Sequence, residues 1–231
     1  MSNLAFTPAP SSRLTIQNCP DLFPVRRIYC IGRNYADHAI EMGHNPDREP
    51  PFFFQKNPDN ADQSGQFPYP PHSSDVHFEA ELIIALHSGG RDISLDHALD
   101  HVFGYAAGLD MTRRDLQGEM KKMGRPWEIG KAFERSAPMG PIVPADQCGH
   151  LDSGTIALFQ NDQKKQDGNL NQMIWKVPEM IAYLSAYYEL APGDLIMSGT
   201  PAGVGPTTPG DVLRVQIEGL PELSVTVTDQ Q

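Results

Sequence analysis

Apolar and polar positions along the chain fall into short runs whose period is two in some segments and close to 3.6 in others. In "HFEAELIIAL", residues 77–86, Ala80, Leu82, Ile84 and Leu86 share one face, while Glu79, Glu81, Ile83 and Ala85 share the other. A strand over 79–86 with apolar side chains on both sides is central to its sheet and covered twice. Comparable runs predict strands over 102–109, 155–160, 194–198, 211–217 and 222–228, after an earlier short strand in "VRRIYCIG". Helical spacing predicts helices near 34–42, 94–101, 112–123 and 177–188, the third opened by a capping box of Thr112 and Asp115. Two stretches interrupt this pattern. Residues 1–24, rich in Pro and Ser, read as an N-terminal arm before a domain over 25–231, and 57–75 reads as a long loop and candidate lid. Strands outnumber helices and do not alternate with them regularly, which predicts a mixed-sheet α+β domain and not a Rossmann fold or (β/α)₈ barrel.

The 79–86 strand poses a problem of charge. Two ionised carboxylates about 6–7 Å apart repel by roughly 2–3 kcal/mol at an effective dielectric near 20, and burial adds a desolvation cost. A divalent cation, a pair of basic side chains or a proton would compensate them; a strand end in water would not need to. Asp110 closes the apolar run "VFGYAAGLD", where it is either an ordinary turn residue or a displayed ligand. Taken with Glu79 and Glu81 it makes three hard oxygen donors, a set suited to Mg²⁺ or Mn²⁺. In "GRNYADHAIEMGHN", Asn34 is a candidate N-cap and Gly43 a candidate stop, and His38 and Glu41 lie three apart on one helical face. A carboxylate on one imidazole nitrogen makes the other a better base for water, although a solvated surface pair has the same spacing.

Charge and cysteine content narrow the function classes. Eighteen Lys and Arg against 29 Asp and Glu give −11, which disfavours nucleic acid and anionic membrane surfaces as partners. Three dispersed cysteines without a C-x-x-C motif fit a reducing compartment, and neither a signal peptide nor a membrane span is evident, so a soluble cytoplasmic protein is expected. "SGTPAGVG" is neither a P-loop nor G-x-G-x-x-G and reads as a strand-end turn. The serine of "ERSAPMG" lacks a nucleophile elbow and reads as a surface-loop residue. The histidines outside the 34–42 helix read as structural or solvent-facing.

The ordered series "IGRNYADHAIEMG", "FFFQKN", "HFEAELII", "GYAAGLDMTRRDLQGEMKKMGRPWEIGKAF", "SAPMGP", "PEMIAYLS" and "LAPGDLIMSGTPAGVGP" resembles the fumarylacetoacetate hydrolase family from about Val25 to the C-terminus. Within it the chain looks most like the acylpyruvate hydrolase branch, and "FTPAP", "PPFFF" and "LDMTRRDLQGEMKKMGRPW" are similar to fumarylpyruvate hydrolases of gentisate-type aromatic degradation. The resemblance implies a mixed β-sheet roll with flanking short helices, usually a homodimer. It implies metal ligation by Glu79, Glu81 and Asp110, catalytic roles for His38, Glu41 and Lys131, and contact of Arg33, Arg114, Gln117 and Thr200 with a 2-keto acid substrate. Arg113 and Arg114 point about 100° apart on a helix, so one of them faces the site. The chain departs from the family pattern in having "QKN" where many relatives have Lys-Pro, and "HFEAE" where many have two histidines before the first Glu.

The implied chemistry is metal-dependent hydrolysis of the C–C bond of a 3-acylpyruvate. A cation and Lys131 would stabilise an enolate as pyruvate leaves, and His38, oriented by Glu41, would activate water. Oxaloacetate decarboxylation needs no activated water and is the alternative on the same metal site, together with isomerisation or hydration of an unsaturated 2-keto acid.

Overall fold

The computed structural model describes residues 5–7, 9–36 and 50–230. Its strands are β1 (Arg13–Ile16), β2 (Cys19–Pro24), β3 (Arg27–Gly32), β4 (Phe52–Lys56), β5 (Ala61–Asp62), β6 (Gln66–Pro68), β7 (Val76–Phe78), β8 (Ala80–Leu86) and β9 (Val102–Leu109). They continue with β10 (Thr112–Arg113), β11 (Ala137–Pro138), β12 (Val143–Pro144), β13 (Thr155–Gln160), β14 (Gln163–Asn169), β15 (Asp194–Met197), β16 (Gly205–Thr207), β17 (Val212–Ile217) and β18 (Leu223–Thr228). The α-helices are α1 (Leu95–Ala98), α2 (Arg114–Met123), α3 (Glu128–Lys131), α4 (Ala145–Cys148) and α5 (Val177–Tyr187).

A six-stranded sheet, β12-β9-β8-β15-β3-β4, and a five-stranded sheet, β14-β13-β17-β18-β6, form the body. Both are mixed: β15 runs parallel to β3 but antiparallel to β8, and β18 is parallel to β6 but antiparallel to β17. This is the mixed-sheet α+β domain expected from the pattern, in the roll that the family resemblance implies. All seven residues of β8 are buried, and its two faces feed two apolar clusters. Ala80, Leu82, Ile84 and Leu86 join the larger one, with Leu158 and Val215 of the second sheet and Ile181 and Leu184 of α5. Ile83 and Ala85 join the smaller one, with Leu14 and Phe23 from the β1–β2 hairpin. Burying each Leu or Ile of β8 contributes about 1.5–3 kcal/mol, so the double cover explains a strand with no polar residue after Glu81. Among the described residues no helix is long and apolar enough to cross a membrane.

Three local expectations are corrected. Residues 57–75 are not a free loop: β5 pairs in parallel with β11, β6 pairs with β18, and the fully buried Phe67 anchors the segment in the larger core. Backbone pairing at these two short strands is what a composition rich in turn formers conceals. The capping box does not form, because Thr112 belongs to β10, its hydroxyl donates to Asp110 O (3.1 Å), and Arg113 is the N-cap of α2. Asp115 instead accepts from Ser73 Oγ (2.7 Å) and Ser74 N (3.0 Å), tying the helix start to the 73–75 segment. Finally, the serine of "ERSAPMG", Ser136, is fully buried and not on the surface, bonded to Lys56 Nζ (3.0 Å) and Lys131 O (3.1 Å).

Candidate metal and substrate site

The three carboxylates meet because of strand register. Glu81 lies on β8 opposite Gly108 of β9, Glu79 occupies the break between β7 and β8, and Asp110 follows β9 directly. The backbone bond from Asp110 N to Glu79 O (2.8 Å) ties the two strand ends together. One oxygen from each of Glu79, Glu81 and Asp110 lies within 4.8 Å of the others, and the residues are only 5%, 2% and 1% exposed.

Basic side chains from three other segments surround them. Lys131, at the end of α3, donates to Glu79 Oε2 (2.9 Å) and Asp110 Oδ2 (2.7 Å). Burial acts to lower its pKa, but Asp110 and Glu79 outweigh it and hold the ammonium above its usual range. Arg114, on the first turn of α2, ion-pairs with Glu79 Oε1 and donates to Gln117 Oε1 (2.8 Å), so Arg114 faces the site. Arg113 turns away, its guanidinium 4.3 Å from the centre of the Phe133 ring. Lys56, at the end of β4, reaches Asp110 Oδ1 (2.8 Å), and its ammonium is held in place by Met111 O (3.3 Å), Lys131 O and Ser136 Oγ (3.0 Å).

Lys56 is a buried residue of the site that the sequence reading passed over, because a lysine closing "FFFQKN" looks like an aromatic strand meeting solvent. The retrievable signal was the one that exposed Glu81: a charge at the end of an otherwise apolar strand. Gln166 was missed as well. It is fully buried, takes Ala80 N (2.9 Å) on its amide oxygen, and donates to Thr200 Oγ1 (2.8 Å), which fixes the threonine in the cleft.

Glu81 is held differently from its neighbours. Among the described residues its side chain accepts one hydrogen bond, from Gly199 N (2.9 Å). Gly199 has φ +88°, and a Cβ there would stand 2.8 Å from Asn34 Cβ, so this approach of backbone to carboxylate requires glycine. Burial, followed by the charges of Asp110 and Glu79, pushes the Glu81 carboxyl well above its usual range. Asp110 Oδ1 is buried and has no hydrogen bond, although Lys56 stands at ion-pair distance. A carboxylate with an unused lone pair, a second with a single donor and a third beside them form a hard-oxygen set that fits Mg²⁺ or Mn²⁺.

These groups floor a cleft that Arg33, Phe52, Phe54, Lys121, Trp127 and Thr200 also line. Gly32 permits it: a Cβ there would lie 2.0 Å from Phe52 Cζ, so only a bare backbone lets that ring lie at the mouth. Arg33 stands with its guanidinium 5.2 Å from the centre of Phe52. Asn34 anchors the neighbouring chain, donating to Ser198 O (2.8 Å) and accepting from Trp175 N (2.7 Å). The expected helix at 34–42, with His38 and Glu41, lies outside the described residues after Ala36. The structure thus brings together Glu79, Glu81, Asp110, Lys131, Arg33, Arg114, Gln117 and Thr200.

The family model described as fumarylacetoacetate (FAA) hydrolase C-terminal matches residues 27–228. A fumarylpyruvate hydrolase from Ralstonia sp is 46% identical over 189 residues, covering 80% of this chain and 98% of that protein. A mitochondrial oxaloacetate decarboxylase from Dictyostelium discoideum is 42% identical over 196 residues, covering 84% of this chain and 90% of that protein. Among solved structures, a fumarylpyruvate hydrolase from Pseudomonas aeruginosa in complex with Mn²⁺ and pyruvate superimposes with a TM-score of 0.96 at 50% identity, covering 99% of this chain and all of that one.

Proposed function

The chain belongs to the fumarylacetoacetate hydrolase family, and from that premise we propose that it is a metal-dependent C–C hydrolase of 3-acylpyruvates, converting fumarylpyruvate to fumarate and pyruvate. The observation that carries this reading is the buried trio Glu79, Glu81 and Asp110, set beside Lys56, Arg114 and Lys131. The Pseudomonas relative holds Mn²⁺ and pyruvate, one product of this reaction.

A divalent cation held by Glu79, Glu81 and Asp110 supplies the Lewis acidity that makes a 2-keto acid enolate a tolerable leaving group. Arg114, steadied by Gln117, and Thr200, steadied by Gln166, hold the pyruvyl end of the substrate. Lys131 keeps its proton and places a fixed positive charge where enolate charge develops. His38, oriented by Glu41, takes a proton from water as the oxygen adds to the distal acyl carbonyl. The bond from that carbonyl to carbon 3 then breaks, releasing the acyl group as its carboxylate. Return of the proton to carbon 3 completes pyruvate.

Steady-state hydrolysis of fumarylpyruvate, maleylpyruvate and acetylpyruvate with Mg²⁺ or Mn²⁺, repeated after EDTA, tests the reading. Metal-dependent turnover led by fumarylpyruvate supports it, and activity unaffected by chelation would overturn it. Oxaloacetate decarboxylation is the second reading, favoured by the 42% identity to the Dictyostelium enzyme. His38→Ala separates the two, since hydrolysis needs an activated water and decarboxylation does not.

A homodimer is part of the same proposal. It is supported by edge strand β4, where Phe53 packs against Tyr187, a residue still 60% exposed in one chain. Sedimentation equilibrium tests it. A cytoplasmic location is supported by Cys19, Cys30 and Cys148, which are all free thiols.

A further inference from the structure

Two cations at the outer side of the cleft take no part in the carboxylate network. Lys121 Nζ stands 5.7 Å from the centre of the Trp127 ring, and the Arg33 guanidinium 5.2 Å from that of Phe52. The two rings meet edge to face, with centroids 5.4 Å apart and planes at 84°. Among the described residues Lys121 has no hydrogen bond and no ion pair, although burial and the nearby charges of Arg33 and Arg114 push its pKa down. A half-buried ammonium beside other cations is destabilised until an anion arrives.

Helix geometry gives the spacing. Arg114, Gln117 and Lys121 sit at i, i+3 and i+7 of α2 and share one face along the cleft. Seven residues rise about 10 Å along the axis, and the six carbon–carbon bonds of an extended seven-carbon chain span roughly 7–8 Å, a difference within the swing of a lysine side chain. Charge points the same way. Three anions, Glu79, Glu81 and Asp110, already face three cations, Lys56, Arg114 and Lys131, so a divalent ion leaves the cleft positive even before Lys121 and Arg33 are counted.

Resting on the hydrolase reading above, we infer that Lys121, with Arg33 across the two rings, binds a second carboxylate at the far end of the acyl chain. The preferred substrates are then dianionic: a planar, conjugated acyl group lies along Phe52 and Trp127, and its terminal carboxylate meets the two cations. Lys121 is thus a specificity-determining residue that acts on the end of the substrate remote from the scissile bond.

The test compares fumarylpyruvate with crotonylpyruvate, which keeps the chain and double bond but ends in a methyl group. In Lys121→Met the ratio of kcat/KM between the two should fall about 10- to 100-fold, chiefly through KM for fumarylpyruvate, and Lys121→Arg should keep most of it. A general loss of structure would lower both substrates together and leave the ratio alone. An unchanged ratio in Lys121→Met, with wild-type enzyme active on both, overturns the role of Lys121 and spares the hydrolase reading. A wild-type enzyme that hydrolyses neither substrate overturns the hydrolase reading itself.

Discussion

Two carboxylates, Asp211 in a turn and Glu81 in the cleft, show what separates structural from chemical acid. Asp211, ahead of β17, accepts from Gln160 Nε2 (2.8 Å), Asn161 Nδ2 (2.6 Å), Thr207 Oγ1 (3.0 Å) and Thr208 N (2.8 Å). Burial works against its charge, but these donors prevail and hold its carboxyl below the usual range. Glu81 is more deeply buried, accepts a single described hydrogen bond, and is pushed the opposite way. Neutral donors saturate the first and lock a turn. The second is left short of partners within reach of two other anions, an arrangement that is costly without a cation and useful with one.

The sharpest way to break the comparison is to neutralise each acid. Glu81→Gln should lower Mn²⁺-dependent kcat/KM at least about 10³-fold, roughly 4 kcal/mol of transition-state stabilisation, while metal-free protein melts no earlier than wild type. Activity assays and scanning calorimetry in EDTA read both halves; near-normal activity would remove Glu81 from the ligand set. Lys56→Met should cost about 3 kcal/mol of stability, because it strips a partner from buried Asp110. Urea denaturation checks this, and a change within 0.5 kcal/mol (an order-of-magnitude threshold for surface substitutions) would mean that Lys131 alone compensates Asp110.

Mn²⁺ at about 100 times its Kd should stabilise the fold by about 2.7 kcal/mol, a rise in Tm of roughly 5–10 °C that Glu81→Gln should largely abolish. The smallest effect belongs to Asp211. Asp211→Asn should cost about 1–2 kcal/mol at neutral pH, less than four buried bonds would suggest, because water reaches the site. Its depressed carboxyl contributes stability that is present above the unfolded value near pH ~3.9 and disappears as pH falls through the lower folded value. The variant should therefore lose part of the acid-side slope of stability against pH. A slope identical to wild type would show that Asp211 is not held as its hydrogen bonds indicate.

Much of this was legible from local pattern. The strands over 102–109 and 155–160 match β9 and β13 at both ends, since each is a compact apolar run between turn formers. The two faces of β8 were equally plain, because period two sorts side chains without reference to any partner strand. What stayed hidden depends on distant chain. β14, "QKKQDGN", has no apolar alternation; only Gln166 turns inward, toward a glycine-rich turn some 34 residues later. Ser136 and Lys56 are buried because the ends of β4 and α3 converge on them, and no window of sequence contains both. The meeting of Glu79 with Asp110 follows from the pairing of Ala80 with Leu109, a long-range register that the motif itself does not encode.

That register has a consequence for assembly of the chain. Sliding β8 against β9 by one residue would turn Glu81 to the opposite face and part Asp110 from Glu79, so a mispaired sheet offers no coherent set of donors. A cation bound by all three carboxylates would therefore favour this alignment over any slipped one, adding to the register that the two buried faces of β8 already specify.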